Sequence, residues 1–287
     1  KTRPDAVIFN QFDQLPNHLW HYQITGPAME ELFLRLKGPK DQLAAVLLSS
    51  GSAGTLGSGS YIKRRFPGAK LGVGEALQCP TILENGFGGH RIEGIGDKHI
   101  PWIHNFRDTD MAVGVDDELA IRYIRLFNEE AGRKNLLEAG ADPEALTKLD
   151  WMGISGVGNL IGAIKMAKYY ELGEEDIVFT MFTDSMELYG SRLRELRAER
   201  GDYGQRQADR DLESIKSLGL DHVFEMSHVD RRRVHNLKYF TWIEQLGKSL
   251  DELRAQWEDY RDYWGSLYDQ VGDIDAMIEE FNREVLS

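Results

Sequence analysis

Apolar residues along this chain fall in short unbroken runs, separated by stretches with helical spacing. Ala45-Val46-Leu47-Leu48, Leu71-Gly72-Val73-Gly74, Met111 to Val115 and Ile177 to Phe182 show no polar alternation, the mark of strands covered on both faces. Ile177 to Phe182 reads as the clearest buried strand, and Ala6-Val7-Ile8-Phe9 as a further one. Between the runs, Met29, Leu32, Phe33 and Leu36 share a helical face, with Thr25 as N-cap and Pro27 in the first turn. A helix runs to Arg65, and Asp116 caps another that carries Leu119, Ile121, Ile124 and Leu126. Asp142-Pro143-Glu144 opens a third, and residues 159–172 form a fourth after a small-residue turn, Ser155-Gly156-Val157-Gly158. Such alternation predicts an α/β fold: a mostly parallel sheet with helices on both faces.

Residues 86–105 are glycine-rich and lack periodicity, so they read as loop. After about Gly190 the character changes. The chain divides into a large α/β domain, 1–190, and a charged, aromatic-rich helical extension, 191–287. Ser249-Leu250-Asp251-Glu252 is a capping-box signature within the extension, and Asp275 to Leu286 reads as its last helix. Its tyrosines and tryptophans, Tyr239 through Tyr268, read as the means of docking it onto the main domain.

Composition narrows the function. With 41% hydrophobic and 28% charged residues the chain is ordinary for a globular protein, and no run approaches a membrane span. A net charge of −13 argues against a nucleic-acid surface. Arg231-Arg232-Arg233 is the exception, read as a solvated helix face. The single cysteine, Cys79, rules out an internal disulfide and fits a reducing, cytoplasmic setting. His18 and His21 find no further ligands, so no metal site is assigned. Asp97, Lys98 and His99 read as a solvated loop triplet, and neither Ser52 nor Ser155 sits in a G-x-S-x-G elbow.

In parallel sheets ligands gather at the carboxyl ends of strands. There the first run delivers Gly51-Ser52-Ala53-Gly54-Thr55, residues with little bulk, followed by a helix start. Their amides can approach an anion closely, and the helix end adds partial positive charge. The loop is neither a G-x-x-x-x-G-K-[ST] nor a G-x-G-x-x-G motif. Ser155 to Gly158 and Asp184-Ser185 occupy other strand ends, so the three segments are expected to converge.

Five segments, in order across roughly 11–191, resemble the cysteine synthase-like branch of the fold-type II pyridoxal-phosphate enzymes, whose fold is that of the tryptophan synthase beta chain. Gln11-Phe12, Pro16-Asn17, His21-Tyr22 and Thr25-Gly26-Pro27 resemble that family's QF-x-NPAN…H-x-x-TTGPE stretch. Gly51 to Thr55 with LGSGSYIK resembles its phosphate loop, and His90 to Gly96 with Ile100-Pro101 is similar to HKIQGIG…IP. Gly153-Ile154-Ser155-Gly156 running to Lys165-Met166-Ala167 resembles GISSGAA…LKLA, and Asp184 to Tyr189 resembles DSGERY. The resemblance implies pyridoxal 5′-phosphate as cofactor, held by Gly51, Ser52, Ala53, Gly54, Thr55, Ser155 and Asp184. It implies Gln11, Gly94 and Ile95 on the side of a small amino-acid substrate, and a homodimer. The implied activity is that of a lyase or transferase working by β-elimination or β-replacement.

Two departures stand out. Gly156 falls where the family has the serine beside the pyridine nitrogen, leaving Ser155, Asn159, Ser185 or water for that contact. None of the thirteen lysines sits in an SVKDR-like setting, and Lys98 alone lies beside a matched segment. The catalytic residue is therefore unknown from this sequence. A lysine-bearing N-terminal segment is expected from the same or another chain. The competing reading is a non-catalytic or regulatory subunit that keeps the fold without the lysine.

Overall fold

The computed structural model describes Arg3, Asp5, Ala6 and residues 8–286. Five strands form one sheet: β1 Gln42–Ser49, β2 Lys70–Ala76, β3 Met111–Val115, β4 Asp176–Thr180 and β5 Val223–Glu225. Their order is β4-β1-β2-β3-β5, with β4, β1, β2 and β3 parallel and β5 antiparallel to β3. Helices α1 Leu15–Trp20, α2 Gly26–Leu36 and α3 Leu56–Arg65 lie on the N-terminal side of this order. After β3 come α4 Asp117–Asn128, α5 Glu130–Glu138, α6 Pro143–Leu146 and α7 Ile154–Tyr169. The extension supplies α8 Gly190–Arg200, α9 Gln205–Lys216, α10 His228–Asn236, α11 Leu250–Glu258, α12 Tyr260–Asp269 and α13 Val271–Leu286.

The mostly parallel sheet expected from the apolar runs is present, with a core on each face. One core joins Val46, Leu48, Leu71 and Val73 to Phe33 and Leu56, and to Trp242, Leu253 and Trp257 of the extension. Ala45, Leu47, Met111 and Val113 pack on the other face against Ala163 and Met166 of α7. Gly162 lets α7 approach closely, since a Cβ there would come within 2.7 Å of Leu47.

Several local expectations need correction. Ala6, Ile8 and Phe9 form no strand; Ile8 and Phe9 are 73% and 88% exposed, and Val7 lies outside the described residues. β4 is shorter than the run that predicts it and only half-buried, because it is an edge strand with a neighbour on one side. Thr25 caps nothing. A π-helical turn, His21–Thr25, joins α1 to α2 without a break, and the Thr25 hydroxyl bonds to His21 Nδ1 at 3.0 Å instead. Leu32 and Leu36 of the expected core face are exposed. Ser155 to Gly158 are not a turn but the first turn of α7. By contrast Asp116 and Ser249 accept from Glu118 N and Glu252 N as the capping rules require.

Residues 191–287 contain one strand, β5, and are sewn to the rest by buried polar contacts. Arg231 is no solvated side chain: it donates to Asp110 Oδ1 at 2.8 Å and to the Arg107 carbonyl at 3.0 Å. Trp242 donates its indole N–H to Ile100 O, and Lys238, wholly buried, donates to Trp102 O, His104 O and Gln256 Oε1. The docking role read for the extension's aromatic residues holds for Trp242, Trp257, Trp264 and Tyr268, all buried. No helix among the described residues is long and apolar enough to cross a membrane.

Candidate active site at the carboxyl end of the sheet

β1 ends at Ser49, and Ser50 still pairs with the sheet through its N–H to Gly74 O. From Gly51 to Thr55 the pairing stops. Among the described residues, the five amides of 51–55 donate to no protein acceptor. Burying unpaired N–H groups is costly, so a row of them lining a cavity marks a place for an anion. Ala53 is held at φ +67°, a left-handed conformation unusual for a residue with a side chain. Helix α3 begins directly behind, with no side-chain cap on its N-terminus.

Neighbouring segments hold the loop in place. Asn17 Nδ2 donates to Ser52 Oγ at 3.1 Å and to Gln11 O at 3.0 Å, and a Cβ on Gly54 would overlap the Asn17 side-chain oxygen. Gly96 N–H bonds to Ser50 O, which brings Gly94 and Ile95 over the loop. Gly94 and Gly96 both have positive φ, and a Cβ on Gly51 would lie 3.0 Å from the Gly94 carbonyl. Gly57 allows α3 to cross the backbone of α1, because a Cβ there would overlap the His18 carbonyl. We expect Gly57→Ala to lower stability by about 3 kcal/mol, since the clash is with backbone that cannot swing aside. A shift in the urea midpoint measures it; an unchanged midpoint refutes the crossing.

These elements enclose a cavity of about 110 Å³. Gly51 to Thr55 form one wall, Gly94 and Ile95 a second, and Ser49, Ser155, Thr183 and His21 the remainder. Ser155 Oγ lies 3.2 Å from Thr183 Oγ1. Burial lowers the His21 pKa, so the ring is neutral at physiological pH. Among the described residues, no carboxylate, lysine or arginine lines the cavity. The described lining offers an anion main-chain dipoles, hydroxyls and the neutral His21 ring.

The comparisons fit this geometry. No family model matches the chain. Cysteine synthase 3 of Caenorhabditis elegans is 28% identical over 199 residues, covering 67% of this chain and 52% of that protein. The probable cysteine synthase of Bacillus subtilis is 30% identical over 130 residues, 45% of this chain and 41% of that one. Among solved structures, a hydrogen sulfide-producing enzyme of Fusobacterium nucleatum superposes with TM-score 0.53 at 25% identity, covering 78% of this chain and 57% of its own. This chain is a homologue of the cysteine synthase-like, fold-type II pyridoxal-phosphate enzymes. It spans about half the length of those cysteine synthases.

Of the residues singled out from the cysteine synthase-like motifs, the fold brings eight together at the cavity: Gly51, Ser52, Ala53, Gly54, Thr55, Gly94, Ile95 and Ser155. Two stand apart. Gln11 is exposed and reaches the loop only through its carbonyl, by way of Asn17. Asp184 is a strut: its carbonyl accepts from Gly153 N, and its carboxylate accepts from Tyr189 OH at 2.6 Å, fixing the start of α7. Asn159, weighed for the pyridine contact, donates to Met181 O instead. Beyond those ten, His21 and Thr183 line the cavity and Asn17 braces the loop. Asn17 and His21 lie four apart on one continuous helix, and Thr183 sits just past a parallel strand's carboxyl end; both signals were present in the sequence.

Proposed function

We propose that this chain forms the cofactor-binding part of a pyridoxal-phosphate-dependent lyase or transferase acting by β-elimination or β-replacement on a small amino acid. The row of five unpaired amides at 51–55, facing a cavity free of carboxylates, carries the reading. Those amides and the α3 N-terminus would hold the coenzyme's phosphate ester. Ser155 and Thr183 would give its ring a neutral hydroxyl contact, and Gly94 and Ile95 would leave room on the substrate side. The coenzyme supplies the electron sink for loss of a β-substituent; the protein orients it and excludes water.

Thr55→Pro tests the phosphate cradle. Thr55 already has φ −57°, proline's own angle, so the change removes the amide donor at a compatible backbone angle, together with the hydroxyl's long bond to Ser49 O at 3.5 Å. Equilibrium dialysis of the chain against pyridoxal 5′-phosphate should show binding at least tenfold tighter than to pyridoxal, and Thr55→Pro should erase most of that difference. Equal binding of the two compounds overturns the proposal.

A second reading, a non-catalytic or regulatory subunit, is favoured by a cavity lining that holds no lysine among the described residues. Borohydride trapping separates the two. Coenzyme fixed covalently to a complex of this chain with a lysine-bearing segment favours the enzyme; binding without trapping in that complex favours the subunit. A homodimer and a cytoplasmic location complete the proposal.

A further inference from the structure

The extension has a cavity of its own, about 450 Å³, set between α10, the π-helical turn Tyr239–Gln245 and α11. Its floor is apolar, built from Leu253 and Trp257, and Phe240, 57% exposed, stands at its mouth. Three guanidinium groups surround it: Arg232, Arg233 and Arg254. Arg232 has no carboxylate within ion-pairing distance among the described residues, and Arg233 donates to the neutral Asn85 side chain. Arg254 reaches only the exposed Asp251, at 3.5 Å, and Glu258 is the one carboxylate of the lining. His235 adds no charge, because burial pulls its pKa to about 3 even though its Nε2 donates to Leu253 O.

Uncompensated cations are the exception in a chain of net charge −13. Guanidinium forks match oxyanions, and flat rings stack on aromatic and guanidinium faces. The volume falls within the range of small-molecule sites. A second observation points the same way. π-Helical turns are uncommon and concentrate at functional sites, and the two in the described residues border the two cavities: His21 lines the first and Tyr239 the second.

We infer that this cavity is a second ligand site, for a small molecule joining an aromatic ring to a phosphate or carboxylate. Calorimetric titration of the full chain with phenyl phosphate and with benzoate tests it and separates the two oxyanions. One of them should bind at least tenfold more tightly than phenol or inorganic phosphate. Arg232→Gln with Arg254→Gln, both exposed and tolerant of change, should weaken it tenfold or more, and Phe240→Ala about threefold. Thr55→Pro should leave it unchanged, which separates this site from the loop at 51–55. Binding no tighter than inorganic phosphate, or insensitive to the arginine variants, or lost in Thr55→Pro, overturns the inference.

Discussion

Lys238→Met should lower the melting temperature by about 10 °C, equivalent to roughly 3–5 kcal/mol. The Lys238 ammonium is wholly buried and spends all three N–H groups on Trp102 O, His104 O and Gln256 Oε1, at 2.7–2.8 Å. Methionine fills a similar volume but donates nothing, so two main-chain carbonyls and an amide oxygen are left dry and unpaired. Each such group costs on the order of 1–3 kcal/mol. The three acceptors come from the 102–104 loop and from α11, so the lysine clamps the extension to the main domain. Calorimetric scanning measures the loss. A melting temperature within about 2 °C of the parent would mean that the carbonyls find other donors, and the clamp would be disproved.

Acid should unfold this protein earlier than its carboxylates alone would dictate. His18, His104 and His235 are buried and uncharged; burial, helped by the Lys238 charge, lowers all three pKa values, to about 3 for His18 and His235. Below pH 6.5 the unfolded chain binds protons on these rings that the folded chain refuses, so stability falls as pH falls. Glu75 has the opposite sign. Burial raises its pKa to about 7 despite N–H bonds from Ile82 and Leu83, so between pH 4.5 and 7 the folded state holds a proton that the unfolded state releases. Among these four groups, three protons against one leave a net excess of about two on the unfolded chain. The resulting slope is roughly 2.7 kcal/mol per pH unit between pH 6 and 4.5. Urea midpoints at pH 7.5, 6 and 5 give the slope directly. A flat profile across that range would show that the histidines titrate normally.

How much of this was legible beforehand depends on what each signal measures. Unbroken apolar runs report burial on both faces, and each of the four such runs that begin at Ala45, Leu71, Met111 and Ile177 falls on a parallel strand, with Met111–Val115 at its expected bounds. β4 misled because Ile177, Val178 and Phe179 read as core, while the fold leaves them half-covered at a border. Capping signals worked where a helix truly starts, at Asp116 and Ser249, and failed at Thr25, where one helix passes through a π turn into the next. Local chemistry cannot report whether the preceding residues are already helical. The small-residue loop was visible because its amides need no side chains, and the ordered motifs placed Gly94, Ile95 and Ser155 beside it. Asp184 shared the motif but lies outside the cavity lining, one of its carboxylate oxygens accepting from Tyr189. Contacts such as Lys238 with Trp102 join residues 136 apart and leave no local trace.

The border at β4 has a material consequence. Its outer rim offers main-chain donors and acceptors beside Ile177, Val178 and Phe179, the kind of rail on which a foreign segment can lay itself down. Glu174, Glu175 and Asp176 gather as gatekeepers at one end, while at the other Met181 and Phe182 carry no charge. A strand laid along this rail would meet charge at its foot and none at its top.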